Sequence, residues 1–208
     1  MVFMARTKKH YARREQLIDA ATRAISERGR DNVRVRDIAE FAGVSAGSVL
    51  YHYPELSELI FDVHRSVVER FYRRRAEQVE SHQAPANRLV AAIETGLPTG
   101  RDDDVAKTLY AMHALADRSS PHGALMSSLF DREVSLYTTV LEIGRACGDF
   151  RLTQPVADVA RTLVVLEDGL GLHLISNNMS LDLASARGLL LAYANQAIDF
   201  DLPALTTG

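Results

Sequence analysis

The stretch "DIAEFAGVSAGSVLYHYP" (residues 37–54) carries a helical apolar pattern that breaks at Gly43 and restarts at Ser45. The upstream piece, from about Val35 to Ala42, spaces Ile38, Ala39 and Phe41 for one buried face. Gly43 suits a stop with positive φ, and Ser45 suits a hydroxyl cap on the piece that follows. That second piece offers Ala46, Gly47, Ser48, Tyr51 and His52, and little that a core can use, before Pro54 ends it. A helix so short and so polar needs a neighbour to dock on, and its outer face is left for another molecule. The helix-turn-helix meets both conditions. A small three-helix packing unit with no nucleic-acid role is the alternative.

Helical periodicity continues on both sides. Leu17, Ala20, Ala21, Ala24 and Ile25 make one stripe between Tyr11 and Arg28, closed by Gly29. Leu56, Leu59, Ile60, Val63, Val67, Phe71 and Val79 make another, on a long helix opening near Pro54 and ending near residue 80. The charged run "ERFYRRRAEQVE" within it reads as solvent-facing. Further helices are expected over about 86–97, 102–118, 122–146, 155–177 and 182–199, and no stretch reads as a strand. The expectation is an all-α chain of about nine helices: a three-helix DNA-binding head over 1–55 and a larger helical domain over 56–208.

Charge supports a polyanion-facing head. The 208 residues carry a net charge of −3. Residues 1–53 hold ten Lys/Arg against six Asp/Glu, a net of +4, which leaves −7 for the remainder. No apolar run is long enough to span a bilayer, and "MVFMARTKKHYARREQ" has no apolar segment of the signal-peptide kind. The single cysteine, Cys147, has no partner for an internal disulfide. These features suit a cytoplasmic protein. No phosphate-binding glycine loop, cysteine pair or HExxH appears, so neither an enzyme, a cofactor nor a metal site is expected. Asp102, Asp103 and Asp104 read as acids opposing a helix dipole.

On a helix-turn-helix reading the short helix enters the major groove. Gly47 lets the backbone come close, Ser48 can reach base edges or phosphates, and Ala46 can meet a thymine methyl. Tyr51 and His52 can reach phosphate oxygens, and Arg34 and Arg36 stand where the positive end of the second helix would also meet a phosphate. With Ser45 as the cap, these eight residues form the expected DNA site.

"VRDIAEFAGVSAGSVLYHYPELSEL" resembles the DNA-binding segment of the TetR family of repressors. Ile38, Ala39, Ala42, Gly43, Val44, Ser45, Gly47, Tyr53 and Leu59 fall in the family's register, as does the preceding "SERG". "GDFR" (148–151) and "LEDGLGLHLI" (166–175) resemble weaker features further on. Three positions depart from the pattern: Leu50 and Leu56 stand where the family commonly has phosphate-contacting Tyr and Lys, and Arg34 where it has a Thr or Ser cap. Tyr51 and Arg34 are the expected substitutes.

The resemblance implies a C-terminal domain that dimerises and holds a small effector, the whole acting as a repressor of a palindromic operator on double-stranded DNA. The last two helices are apolar on wide faces, and Leu163, Leu170, Leu174, Leu190, Tyr193 and Ala197 are the expected homodimer contacts, with faces that simply fill the monomer core as the alternative. Gly169 and Gly171 suggest a close helix approach. Polar or aromatic residues on otherwise apolar helices are the effector-site candidates: His64, Tyr110, His113, Phe130, Tyr137, Glu167 and His173. Glu167 is costly to bury unpaired, so a cationic or hydroxyl-bearing ligand, Arg161 or another arginine should meet it. The long fourth helix is the natural lever between effector and head. A helix-turn-helix protein without an effector is the other reading.

Overall fold

The computed structural model of the chain describes residues 2–117 and 119–203. Among these are nine α-helices, a 3-10 turn over Arg30–Asn32 and no strand. The helices are α1 (Val2–Arg28), α2 (Val35–Ala42), α3 (Ala46–His52), α4 (Leu56–Glu80), α5 (Pro85–Gly96), α6 (Asp104–Ala116), α7 (Ser120–Cys147), α8 (Val156–Ile175) and α9 (Leu183–Ile198). Helix α1 starts well before Tyr11, because "VFMARTKKHYARREQ" contains no glycine or proline to stop a helix from propagating upstream. Helix α4 starts two residues after Pro54, with the Glu55 carbonyl accepting from the Glu58 N–H. Position 118, the expected end of α6, lies outside the described residues.

Two compact units divide the chain. The first comprises the chain up to Arg70 together with Asp104–Met126, and the second Phe71–Asp103 together with the chain from Ser127. The division differs from a simple break at residue 55. Helix α6 belongs with the head because α1 packs against it as well as against α2, and α4 and α7 each contribute residues to both units.

In the first unit, Leu17, Ala20, Ala21, Ala24 and Ile25 of α1 are buried with Ile38, Ala39 and Ala42 of α2 and Val49 of α3. Small residues on α1 let α2 approach closely, and Thr108 of α6 donates to the Thr22 carbonyl at 3.2 Å. Phe41 is only half-buried: its ring lies at the surface beneath the guanidinium groups of Arg23 and Arg28.

The second unit is built on α5, α8 and α9, which pack on one another, with Tyr137, Val140 and Leu141 of α7 in the same core. Gly144 is required on α7, because a Cβ there would collide with the ring of buried Phe150. Gly148, at φ 81°, lets the chain turn back after α7. Arg151 and Thr153 then donate backbone N–H groups to the carbonyls of Ile198 and Ala197 at 2.8 and 3.0 Å, fastening the end of α9.

The residues expected at a dimer contact are all packed within the second unit. Leu163, Leu190 and Ala197 are sealed in the unit's own core, and Leu170, Leu174 and Tyr193 pack against that core from its edge. Among the apolar side chains left open on the same helices are Val165, Leu172 and Leu189, at 58%, 50% and 57% exposure. Gly169 makes no close approach to a neighbouring helix among the described residues, where nothing lies within 4 Å of the place its Cβ would take. No helix of the described residues is long and apolar enough to cross a membrane.

Candidate functional site

Gly43 ends α2 at φ 65°, ψ 37°, and Ser45 opens α3 by accepting the Ser48 N–H on its hydroxyl at 3.1 Å. Val49 anchors the helix. Ser45, Gly47, Leu50 and Tyr51 are exposed, Tyr51 at 73%, while Ala46, Ser48 and His52 are half-buried. The short helix therefore spends one side chain on the core and presents the remainder outward.

The exit from α3 is fastened more firmly than its entry. Tyr53 is buried and donates its hydroxyl to Asp62 Oδ2 at 2.9 Å. Arg14 of α1 donates to the same oxygen at 2.9 Å, lies 4.1 Å over the Tyr53 ring, and reaches the His52 carbonyl. Burial pushes the Tyr53 phenol up to about 12, with the bond to Asp62 adding to it. Burial works to raise the Asp62 carboxyl, but the bonds from Arg14 and Tyr53 outweigh it and hold the group below its usual range. Tyr53, Arg14 and Asp62 thus tie α3, α1 and α4 together through one ionised carboxylate.

The cap of α2 is not made by the Arg34 side chain. A guanidinium cannot accept a hydrogen bond, so Asp37, inside the first turn, accepts the Arg34 backbone N–H at 2.6 Å. The Arg34 side chain folds back to donate to the Asp31 carbonyl at 2.9 Å, and Arg36 is exposed. Several head cations are matched internally: Arg28 pairs with Asp37 and Glu40, and Arg30 with Asp31. A shallow groove of about 440 Å³ joins Ser48, Tyr51 and His52 to His10, Ala12, Arg13 and Gln16 of α1. The rings of His10 and His52 lie 4.7 Å apart. These α1 residues were missed by sequence reasoning, and the "HYARREQ" charge run was their only signal.

The effector-site candidates fall into separate groups. In the first unit His64 is buried against His122, and Tyr110 stacks on the exposed His113 at 6.0 Å. In the second, Tyr137 donates to Glu167, Phe130 packs at the edge of the core, and His173 is exposed beside Asn178. Glu167 is met not by Arg161, which lies by Asp158, but by Arg75. Arg75 is wholly buried and donates to Glu133, to both oxygens of Glu167 at 3.1 and 3.0 Å, and to the Ala92 carbonyl. The run "ERFYRRRAEQVE" is therefore not uniformly solvent-facing. Arg75 stands four residues after Phe71 and four before Val79, on the buried stripe itself.

Two carboxylates against one guanidinium leave a surplus negative charge in a dry interior. Burial raises Glu133 to about 7 and Glu167 to about 8, Arg75 opposing the rise in each. Burial alone would discharge Arg75, but Glu167 and Glu133 hold it charged, and the Tyr137 phenol is pushed well up. The pair thus retains a proton near neutral pH. Gly96 belongs to this arrangement, because a Cβ there would strike the Glu167 carboxylate. Among the described residues no group of three metal-ligating side chains is gathered, and Asp104 serves as an acid in the first turn of α6.

A glycine-hinged helix pair with an outward-facing second helix, followed by a helical body, defines a helix-turn-helix transcription regulator. Residues 17–63 match the family model of bacterial regulatory proteins of the tetR family, and residues 85–199 match that of the BetI-type transcriptional repressor C-terminal region. The chain belongs to the TetR family of transcriptional regulators. It is 31% identical to the regulator BetI 2 of Chromohalobacter salexigens over 196 residues, covering 89% of this chain and 88% of that one. It is 25% identical to the repressor KstR2 of Mycobacterium tuberculosis over 140 residues, covering 67% and 70%. Among solved structures, a transcriptional regulator from Saccharomonospora viridis in complex with choline superposes with a TM-score of 0.83 at 25% identity, over 90% of this chain and 98% of that one.

Proposed function

We propose that this protein is a homodimeric, effector-released repressor that holds a twofold operator with α3 in the major groove. The observation that carries the reading is the union in one chain of an outward-facing α3 with a C-terminal half of the BetI type. Ser45, Ala46, Gly47 and Ser48 face the bases. Tyr51 and His52, joined by His10 and Arg13 of α1 and by Arg34 and Arg36 at the start of α2, meet the phosphates. A second copy covers Val165, Gly169, Leu172 and Leu189, giving a four-helix contact from α8 and α9.

The effector is a small organic cation. The choline complex of the Saccharomonospora viridis regulator nominates that chemistry. The second acid of the Glu133 and Glu167 pair supports it, because loss of the proton that the pair retains would leave a carboxylate for such a cation, in the same unit as the aromatic rings of Phe130 and Tyr137. The protein acts where the chromosome is, in the cytoplasm, and has no catalytic role.

Fluorescence anisotropy with duplexes flanking the protein's own gene tests this. Nanomolar binding at low salt and about hundredfold weakening by choline, equivalent to ~2.7 kcal/mol of differential affinity, is the expected result. Failure to bind any duplex overturns the operator reading. Binding that ignores choline and other organic cations favours a regulator without a cationic effector.

A further inference from the structure

The first unit contains a cleft of about 620 Å³ lined by Ser57, Glu58, Phe61 and Asp62 of α4, Arg14 of α1, and Ser119, Pro121 and His122 at the start of α7. This volume suits a small molecule. The proton positions of its walls decide which kind.

His122 is 8% exposed, and its Nδ1 lies 2.7 Å from Nδ1 of wholly buried His64. His64 places its other nitrogen, Nε2, 3.2 Å from the sulfur of Met126. A thioether has no proton to give, so it can only accept, and His64 carries its hydrogen on Nε2. His64 stays neutral because burial pushes it down to about 4, with repulsion from His122 and His113 adding to the shift. Its Nδ1 is then a bare acceptor and takes the Nδ1 hydrogen of His122. Burial and the charge of Arg30 depress His122 as well, so it too is neutral. The hydrogen on Nδ1 leaves Nε2, across the ring, as an unprotonated acceptor on a buried residue of the cleft wall.

The rest of the lining has the same polarity. Asp62 is already shared by Arg14, Arg65 and Tyr53. Glu58 is exposed and joins no ion pair among the described residues. Phe61 meets His122 edge-on at 5.5 Å and supplies an apolar face. The cleft thus offers a carboxylate, an imidazole lone pair and an aromatic ring, while Arg14, the one arginine or lysine among its described lining residues, is already bound.

We infer that this cleft is a binding site for a protonated primary amine with an apolar body, its N–H groups donating to the Glu58 carboxylate and His122 Nε2 while the body rests on Phe61. The site is separate from the one proposed in the second unit and takes a ligand that must carry N–H donors, which a quaternary ammonium lacks.

Calorimetric titration of the intact protein with benzylammonium tests the assignment, together with NMR of protein labelled with ¹⁵N-histidine. Saturable binding, weakened about tenfold or more by Glu58→Gln, is expected from the loss of one charge-assisted hydrogen bond. The His122 Nε2 resonance should report an unprotonated nitrogen in the free protein and shift on adding benzylammonium, but not benzyltrimethylammonium. Glu58 is on the surface, so its variant folds. Benzylammonium binding that Glu58→Gln leaves unchanged overturns this site and leaves the second-unit effector reading intact. A proton found on His122 Nε2, or an equal response to the quaternary analogue, overturns it too.

Discussion

Tyr53 closes the recognition helix by giving its hydroxyl hydrogen to Asp62, 2.9 Å away on the next helix. The backbone N–H of Tyr53 also caps α3 through the Val49 carbonyl. The orientation of α3 therefore depends on a bond made just beyond its last turn. Tyr53→Phe keeps the buried ring and removes only that bond. Chemical denaturation should show a loss of ~1–2 kcal/mol, as for a hydrogen bond to a charged partner, and operator affinity should fall even though no DNA-facing residue has changed.

Removing Arg75 strands two buried carboxyl groups. Arg75→Met should cost ~3–5 kcal/mol, as measured for broken buried pairs. Combining it with Glu133→Gln and Glu167→Gln should recover a large part of that loss. Urea midpoints of the single and triple variants check this, and a triple variant no more stable than the single one would count against the charge argument.

The same cluster fixes a pH dependence. Glu133 and Glu167 titrate near 7 and 8 in the folded chain, above their unfolded value. Folding therefore takes up protons between the ordinary carboxyl value of 4.5 and about 8, so their contribution is full below about 4.5 and is lost progressively as pH rises through 7 to 8. Unfolding free energy should fall between pH 5 and pH 8, with a slope approaching ~1.4 kcal/mol per pH unit for each extra proton the folded chain binds, and melting temperature should fall with it. Glu133→Gln should flatten it.

At the DNA face, Tyr51→Ala should weaken binding to all duplexes alike. Arg13→Gln should do the same and lower the salt slope by about one. Ser48→Ala should instead reorder operator preference by ~1 kcal/mol. Anisotropy titrations on matched and scrambled duplexes separate these outcomes.

Leu172→Arg and Leu163→Ala distinguish two roles on one helix. Leu172 is half exposed and Leu163 is sealed. The arginine should break dimers in sedimentation and abolish the dependence of melting temperature on protein concentration, while the packing inside each chain is untouched. Leu163→Ala should cost ~2–5 kcal/mol in stability because it opens a cavity.

The helices were legible because apolar spacing, Gly29, Gly43 and Ser45 are local signals that tertiary packing did not override. Arg75 was not, because a charged residue inside a charged run looks solvated, and only its place between Phe71 and Val79 marks it as buried. A leucine sealed in its own core and one left at the surface can obey the same apolar pattern, so the sequence did not separate Leu163 from Leu172. The α1 side of the groove beside α3 was hidden for a different reason. His10 and Arg13 meet Ser48 and Tyr51 only through folding, across more than thirty residues.

Gly96 sits where a single methyl group would press on the Glu167 carboxylate, and that carboxylate is pinned by Arg75 and Tyr137 and cannot swing aside. Residue 96 is thereby bound to the acid on α8. A descendant of this chain can exchange many of its lining side chains as it acquires new specificities, but it can replace this hydrogen only after dismantling the acid cluster first.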